Sequence, residues 1–309
     1  MSNQVLDNSK ISKHLGQISE YKDQYDPDLL VAEPRSNNRK HINIKDNDLP
    51  FVGYDTWNAY EVSALTQNGL PVSGVAKIVY PCDSRYIVES KSIKLYFNSY
   101  NMFKCGESAE DVMEFIASKS ARDLSNLLET NVSVHIEPSF RRPEGETVFN
   151  DHKYTTLESM IKPENLYGKT FETYQETPEL LQLTENWPPH RRGKPVFYHS
   201  SLLKSNCRVT SQPDWGDIYI SYTAKKSIVP LSLLKYIVSF RDECHFHEEI
   251  CETVYKRLLD KLNPETLVVS CLYARRGGID INPTRASDKS LLNKKLIDPH
   301  VMHVKTAKQ

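Results

Sequence analysis

The feature that most constrains the fold is a weak internal repeat, because the chain resembles itself when it is shifted by 140 positions. Serines and aromatic residues coincide in the two copies; the matched pairs are Ser92 with Ser232, Tyr96 with Tyr236, Ser99 with Ser239 and Tyr100 with Phe240. Upstream, residues 78–80 fall on residues 218–220 without a gap, and both runs have the β-branched and aromatic content of strands. Such a repeat predicts two similar modules, one after the other.

The downstream elements repeat in the same order. Polar stretches with helical character are followed by strand-like runs; the helical stretches are residues 109–128 and 247–262, and the runs are residues 132–136 and 267–272. Each half reads as strand, strand, helix, strand, which predicts an α+β fold of two tandem modules. With 309 residues, 39% of them hydrophobic, the chain can bury both cores. We place the N-terminal module at residues 1–180 and the C-terminal module at residues 181–309.

Two regions are harder to assign to a module. Residues 138–187 are rich in Glu, Pro and Thr and are predicted to contain the connection between the modules, without a sharp boundary. The residues after Thr284 form a basic tail, which is a candidate for disorder. The repeat therefore constrains the centre of each module more than its ends.

The overall charge excludes one class of partner. The chain has 39 Lys and Arg against 40 Asp and Glu, a formal net charge of −1, so we expect no direct nucleic-acid binding. No apolar run approaches the length of a membrane span, and the polar N-terminus lacks the features of a secretory signal, so we expect a cytoplasmic protein without membrane contact. Six cysteines are too few for a disulfide framework, which predicts reduced thiols.

One of these thiols lies in a setting suited to covalent chemistry. Cys207 and Asp214 are seven positions apart around the turn-forming Pro213, and Arg208 beside the cysteine would favour its thiolate. This pattern indicates a nucleophile with a proton carrier. The alternative is a buried, inert cysteine, which is the more common situation for a single cysteine.

The two copies of the repeat differ at the chemically important positions. Cys207 and Asp214 fall on Gln67 and Gly74, so the N-terminal copy has neither group. The C-terminal copy, for its part, lacks three charged residues of the N-terminal copy. It has the apolar residues Val229, Leu231 and Leu234 at the positions of Glu89, Lys91 and Lys94. Each half keeps what the other lacks, which predicts a composite site at the seam of the modules. The alternative is that residues 89–94 form a solvated edge of a strand or helix.

Two further segments carry functional groups. Residues 244–251 bring Cys244, His247, Glu248 and Cys251 to a predicted helix start, which suits either a zinc site or a general acid with a carboxylate anchor for a ligand. The zinc interpretation lacks a second pair of ligands at the spacing of a closed site. Residues 275–278, Arg-Arg-Gly-Gly, join fixed positive charges to a permissive backbone, which suits a phosphate, although a surface turn would have the same pattern.

Together these segments resemble a known family. The motifs that carry the resemblance are residues 89–96, 206–216, 246–248 and 275–283, with further similarity at residues 15–21 and 25–30. They are similar to the NADPH-dependent 7-cyano-7-deazaguanine reductases in their long, two-module form, and the resemblance spans roughly residues 15–283. The motifs are specific in combination, and none would suffice singly.

The resemblance implies a tunnelling fold, in which antiparallel sheets carry helices on one face and copies assemble into a barrel with sites between modules. It implies that NADPH reduces a nitrile in the synthesis of the tRNA base queuosine, and we expect a homodimer. The implied site has catalytic Cys207, Asp214 and His247, substrate-binding Glu89, Ser90 and Glu248, cofactor-binding Lys91, Lys94, Arg276 and Gly277, and no metal. No G-x-G-x-x-G motif follows a strand, so the cofactor would be bound through side chains.

Two other functions fit parts of the pattern. A zinc-dependent purine nucleotide cyclohydrolase of the same fold would hold its metal with Cys207, His247 and either Cys251 or Cys244. A non-catalytic purine-binding module would leave Cys207 inert. We favour the reductase because Asp214 has no purpose in either alternative.

Overall fold

The computed structural model describes residues 24–139, 145–149, 153–161, 171–184 and 193–309. Its strands are β1 (Ala32–Pro34), β2 (Val52–Leu65), β3 (Pro71–Pro81), β4 (Tyr86–Val88), β5 (Ser133–Pro138), β6 (Thr155–Thr156), β7 (Leu183–Thr184), β8 (Val196–Cys207), β9 (Pro213–Thr223), β10 (Ser227–Ile228), β11 (Cys244–His245), β12 (Thr266–Tyr273) and β13 (Ile279–Ala286). Its helices are α1 (Ser36–Arg39), α2 (Ser90–Asn98), α3 (Ala109–Leu128), α4 (Leu157–Met160), α5 (Pro230–Val238), α6 (His247–Leu262) and α7 (Lys294–Ile297). Short 3₁₀ turns cover Pro27–Leu29, Lys40–Ile42, Pro178–Leu180, Ser239–Asp242 and Lys289–Leu291. Residues 15–21, and part of the predicted connection at 138–187, lie outside the described residues.

A nine-stranded sheet runs through both halves of the chain. Its strand order is β11-β8-β9-β12-β13-β2-β3-β5, with β6 also paired to β8. Neighbouring strands are antiparallel except that β6 and β11 run parallel to β8. The predicted α+β fold with antiparallel strands is therefore confirmed.

The four long helices lie on one face of this sheet. In the C-terminal half, Leu233 of α5 and Val254 of α6 pack in one cluster with Ile218 and Ile220 of β9. Tyr219, between these two isoleucines, belongs to a separate small cluster on the opposite face, as the two-residue period of a strand requires. Among the described residues, no helix combines the length and the apolar character that a membrane crossing requires.

The sequence repeat is also a structural repeat. Helices α2 and α5 begin 140 positions apart, and the hydroxyls of Ser92 and Ser232 each donate to the carbonyl three residues earlier. The hydroxyls of Ser99 and Ser239 do the same at the helix ends. Because these side chains make the same local contacts in both copies, the match between the halves extends from sequence to hydrogen bonding.

One element differs from the sequence prediction. When the elements of two to four residues are left out, each half begins strand, strand, helix, helix, strand, which is one helix more than predicted, and the matched segment forms this additional helix. Its buried apolar residues in the N-terminal copy are Ile93, Tyr96, Phe97 and Tyr100, a spacing of three and four that fits a helix and not an alternating strand. The predicted order lacked this helix, because identical residues in the two copies do not show whether the segment is a helix or a strand.

The two halves are joined by the pairing of β13 with β2. Eight consecutive residue pairs, from Ile279 with Ala59 to Ala286 with Val52, make this ladder. Gly53 is required there, because a Cβ at this position would lie 2.0 Å from the carbonyl oxygen of Thr284. This seam makes one sheet from two modules and places residues of both halves side by side.

A buried cluster of charges lies against the seam on the helix face. Arg285 donates to Asp55 (Nη1–Oδ1 2.8 Å) and to Glu252 of α6 (Nη2–Oε1 2.9 Å). Arg35 also binds Asp55, and Arg39 binds Glu252 through Nε and Nη2 at 3.0 and 2.9 Å. Burial would raise the pKa of Asp55, but the charges of Arg285 and Arg35 hold it below its ordinary value. The cluster ties β2, β13, α6 and the N-terminal segment together.

The tail after Thr284 is ordered, which differs from the expectation of disorder. Lys305 binds Asp280 (Nζ–Oδ2 2.9 Å), and the Gln309 side chain donates to the carbonyl oxygen of Tyr273 at 3.2 Å and to Asn282 Oδ1 at 2.7 Å. The basic residues of the tail therefore meet polar groups on the face of the sheet that the long helices leave uncovered.

We predict that Asp55→Asn lowers the free energy of unfolding by about 3 kcal/mol, because it leaves two buried guanidinium groups without a full counter-charge. The matched control is Asp46→Asn, since Asp46 also binds an arginine, Arg39, but its side chain is 52% exposed. The control should cost less than about 1 kcal/mol. Urea unfolding followed by circular dichroism measures both, and equal losses would contradict the role assigned to the cluster.

Candidate active site

A cavity of about 210 Å³ lies at the seam of the two halves. Trp57 of β2 and Ile279 and Ile281 of β13 form an apolar part of its wall. All ten residues implied by the family resemblance line it; they are Glu89, Ser90, Lys91, Lys94, Cys207, Asp214, His247, Glu248, Arg276 and Gly277. The composite arrangement expected from the repeat therefore exists as a geometric fact, whereas the roles of the residues stay predictions.

Cys207 and Asp214 come from the two ends of one hairpin. Cys207 ends β8, its N–H donates to the Gln212 carbonyl oxygen at 2.8 Å, and its own carbonyl accepts from Ser211 at 2.9 Å. Asp214 lies directly opposite Ser205 in the ladder, so it shares a face of the sheet with Cys207, two residues along. The separation of seven positions thus brings a thiol and a carboxylate to the same face of the hairpin.

Asp214 is a buried carboxylate between an arginine and a histidine. One oxygen accepts a hydrogen bond from Arg276, and the other lies 3.4 Å from His247 Nε2. Burial works to raise the pKa of Asp214, but His247 and Arg276 outweigh it and hold the pKa below its ordinary value. The carboxylate is ionised in this arrangement.

His247 and Glu248 begin helix α6. The His247 ring lies against Tyr273, with 3.9 Å between the ring centroids, which fixes the imidazole beside Asp214. Glu248 is 2% exposed, and its Oε1 has no hydrogen-bond partner among the described residues. Burial and the negative charge of Asp55 raise the pKa of Glu248 to about 8, although Arg35 and Arg285 act against this. A buried carboxyl oxygen without a partner is a ready acceptor for the N–H groups of a ligand.

Glu89 has a structural role in addition to its place in the cavity wall. Its carboxylate caps helix α2, accepting from the backbone N–H of Lys91 at 2.9 Å and of Ser92 at 2.7 Å. The alternative of a solvated edge does not describe this residue, which is 5% exposed.

The cationic residues of the cavity wall are its more exposed members. The Arg276 side chain is 40% exposed, and the Lys94 side chain is 26% exposed and forms an ion pair with Glu61 (Nζ–Oε2 3.0 Å). Gly277 has φ of +56°, a conformation that strongly favours glycine, and it lies close to the Lys94 side chain. These residues form a positively charged rim around an interior that holds Glu89, Asp214 and Glu248.

Sequence reasoning missed His245, which also lines the cavity. Strand β11 runs parallel to β8 and pairs His245 with Cys207. The His245 ring lies between Glu243 Oε2 at 3.3 Å and Glu249 Oε2 at 3.2 Å. Burial lowers its pKa, but the hydrogen bonds to the two glutamates outweigh this and raise the pKa to about 9. The segment of residues 244–251 was singled out in the sequence, but the pairing of His245 with Cys207 leaves no signal there, because a two-residue strand has no periodicity.

Arg208 and the zinc interpretation both look different in the structure. Arg208 donates to Glu249 (Nη1–Oε1 2.7 Å), so its charge is compensated rather than available to the thiol.

The proposed zinc ligands are not arranged for a metal. The Cys251 thiol is buried and donates to the carbonyl oxygens of Val269 and Pro283, whereas Cys244 is exposed. Within the described ranges, no three His, Cys, Asp or Glu side chains are grouped in a way that could hold a metal ion.

Comparison with known proteins places both halves in one family. The family model described as "Nitrile reductase, 7-cyano-7-deazaguanine-reductase N-term" matches residues 21–136, and the model "QueF-like protein" matches residues 213–291. A protein of Rickettsia massiliae named NADPH-dependent 7-cyano-7-deazaguanine reductase is 41% identical over 276 residues, 89% of this chain and 93% of its own. A protein of the same name from Legionella pneumophila is 37% identical over 284 residues, 92% of this chain and 93% of its own.

We predict that Glu248→Gln stabilises the chain increasingly as the pH rises from about 5 to 8. Glu248 has a folded-state pKa of about 8 against an ordinary value of 4.5, so over this window the unfolded chain ionises while the folded chain stays protonated, and the folded state loses stability as the pH rises. Glutamine removes that cost. Over the window, the difference in free energy of unfolding between variant and wild type should grow by more than about 1.4 kcal/mol, the value of a single pKa unit. A difference that is independent of pH would contradict the assignment.

Proposed function

Because the chain belongs to the family of NADPH-dependent 7-cyano-7-deazaguanine reductases, we propose that it reduces the nitrile of 7-cyano-7-deazaguanine to an aminomethyl group through a covalent adduct on Cys207. It is an NADPH-dependent nitrile reductase, and the name of its substrate implies the queuosine pathway. The observation that supports the covalent route is the convergence of Cys207, Asp214 and His247 in one cavity with the buried carboxyl groups of Glu89 and Glu248.

The first step is addition of the thiol across the nitrile. A bond forms between the Cys207 sulfur and the nitrile carbon, one C≡N π bond breaks, and the thiol proton moves to the nitrogen, giving a thioimide. Asp214 carries this proton, because it shares the face of the hairpin with Cys207 and is the carboxylate nearest to it along the ladder. No electrons enter in this step. The thioimide carbon is a better hydride acceptor than the free nitrile.

The substrate is held by groups that match a deazaguanine. Its ring N–H and amino groups lose their water on entering the cavity and need acceptors. Glu248 offers an oxygen that has no hydrogen-bond partner among the described residues, and Glu89 offers a second buried carboxyl group beside Ser90 at the start of α2. Trp57 and Ile281 supply apolar contact for the ring. A hydrogen bond to an ionised carboxylate contributes roughly 1.5 to 3 kcal/mol, and one to a neutral carboxyl oxygen contributes about 1 kcal/mol.

The residues at the cavity rim fit the phosphates of the cofactor. Lys91, Lys94 and Arg276 supply positive charge, and Gly277 has the backbone conformation that allows close approach of a ligand. When bound there, NADPH supplies hydride. Reducing a nitrile to a primary amine takes four electrons, so two hydrides and two protons are consumed per substrate.

Cys207, Asp214 and His247 control the intermediates between the two hydrides. After the first hydride, the sulfur holds the half-reduced carbon, so the substrate cannot leave while the cofactor is exchanged. The C–S bond then breaks, the thiolate departs, and the resulting C=N bond accepts the second hydride. His247 supplies a proton to the nitrogen, which it can do because its ring is held between Tyr273 and Asp214.

The assembly and module boundary are separate proposals. All ten site residues come from one chain, so the cavity does not itself require a second copy. We retain the homodimer, and the division at residues 180 and 181, as proposals of the tunnelling-fold resemblance. Light scattering after gel filtration tests the first, because a single species of 35.6 kDa would contradict it.

We predict that intact-protein mass spectrometry of the chain with 7-cyano-7-deazaguanine and no NADPH shows a gain of one substrate mass. Cys207→Ala should lose this adduct and all NADPH oxidation while still binding the substrate, because the acceptors of the cavity remain. Cys244→Ala is the matched control, since this exposed thiol lies on the strand next to Cys207. An adduct that survives in Cys207→Ala would refute the assignment.

We also predict that two NADPH disappear for each aminomethyl product, because the sulfur keeps the half-reduced carbon bound between hydrides. Cofactor absorbance and product quantified by chromatography give the ratio. A ratio near one, with free aldehyde or imine in solution, would contradict the four-electron reaction. The ratio should not change in Cys244→Ala.

A further inference from the structure

Arg276 connects two parts of the site whose proposed tasks are separate. Its guanidinium donates to the buried carboxylate of Asp214, the proposed proton carrier, although Arg276 is also a candidate for a cofactor phosphate. Its contact with Asp214 uses Nη1, so a phosphate that binds the end of the guanidinium through Nη1 and Nη2 competes with Asp214 for that nitrogen. In that geometry the bond to Asp214 and the bond to a cofactor phosphate are alternatives.

The two partners differ in how firmly they are held. Asp214 is fixed in strand β9 and is 4% exposed, whereas the Arg276 side chain is 40% exposed and extends from a turn that contains Gly277 and Gly278, both with positive φ. Asp214 is the one side-chain partner of Arg276 among the described hydrogen bonds and ion pairs. Within the described part of the chain, Arg276 can thus leave Asp214 without breaking another side-chain hydrogen bond or ion pair.

The groups around Asp214 determine what its release would do. His247 of α6 and Tyr273 of β12 face it, Cys207 shares its face of the hairpin, and Arg276 is the permanently charged partner. Without Arg276, burial is left to act against His247 alone, so the proton affinity of Asp214 increases. A carboxylate with higher proton affinity is a better acceptor for the thiol proton and a better store for it.

We propose that Arg276 is a positioning residue that moves from Asp214 to a phosphate of the bound cofactor, so that cofactor binding frees Asp214 for proton transfer at Cys207. This rests on the proposed function, because the roles of Asp214 and Cys207 do. Lys91 and Lys94 belong to the same cavity wall, so a phosphate there would contact three cationic side chains. Lys94 is paired with Glu61, outside the cavity wall, whereas Arg276 is paired with Asp214 inside it. The consequence is that proton transfer is coupled to the presence of cofactor.

The first test needs no catalysis. Proteins labelled with ¹³C in the aspartate carboxyl group are titrated by NMR, and the signal of Asp214 is identified by its loss in Asp214→Asn. Saturating NADP⁺, which cannot donate hydride, should raise the pKa of Asp214 by about one unit, tenfold in proton affinity. Arg276→Gln should raise it without NADP⁺ and remove the response. Arg275→Gln is the matched control, because Arg275 is in the same turn but stacks on Tyr60 at 3.3 Å.

The second test measures adduct formation by rapid quenching and mass spectrometry. NADP⁺ should speed adduct formation several-fold in the wild type and in Arg275→Gln, and Arg276→Gln should be fast without it. An Asp214 pKa unchanged by NADP⁺ and by Arg276→Gln would overturn the proposal. An Asp214 pKa that moves as expected, with no adduct in any protein, would uphold the movement of Arg276 and overturn the covalent mechanism instead.

Discussion

The pairing of β13 with β2 is the contact on which the rest of the structure depends. Each half alone would be a short sheet with an unpaired edge and no complete cavity. The eight-residue ladder turns the two sheets into one and sets Ile279 and Ile281 of one half beside Trp57 of the other, so the apolar wall of the cavity is itself part of the seam. A one-residue shift in this register would turn those side chains to the opposite face and remove the wall.

The buried charges behind the seam serve the site as well as the fold. Asp55 and Arg35 belong to the N-terminal half, and Arg285 and Glu252 to the C-terminal half, so the cluster favours one arrangement of the two halves over others. Burying ion pairs of this kind costs desolvation energy and is a poor source of stability in itself. The same charges set the electrostatics of Glu248, whose carboxyl group is destabilised as an anion by burial and by Asp55. A substrate that donates hydrogen bonds to Glu248 would favour its ionised form.

The sequence predicted the repeat and the fold class from side-chain identities at fixed spacing, and its resemblance to the reductase family implied the ten residues that line the cavity. It did not predict the helix at residues 90–98, because a match between two copies does not show whether either copy is a helix or a strand. It did not predict the ordered tail either, because Lys305 and Gln309 bind Asp280 and Asn282, which are distant in sequence. His245 was missed for the same reason: its position beside Cys207 is created by a two-residue parallel bridge. Contacts between residues far apart in sequence, such as Arg276 with Asp214, need the assembled sheet before they can be seen.

The complementary losses between the two copies have a physical explanation in what covers each segment. The start of α2 lines the cavity and keeps Glu89 and Lys91, whereas the start of α5 is covered by residues 178–183, through a bond from the Val229 N–H to the Gln182 carbonyl oxygen. A charged side chain at a covered helix start would lose its water without gaining a ligand, so apolar residues that join the core are favoured there. The hairpin loop at residues 66–70 is likewise closed by its own half, through the bond from Gln67 to Gly106. The repeat could in principle form two composite sites, but the start of α5 and the loop at residues 66–70, which would form the second one, are both covered. One site is left, with Cys207 on the uncovered hairpin and Glu89 and Lys91 on the uncovered helix α2.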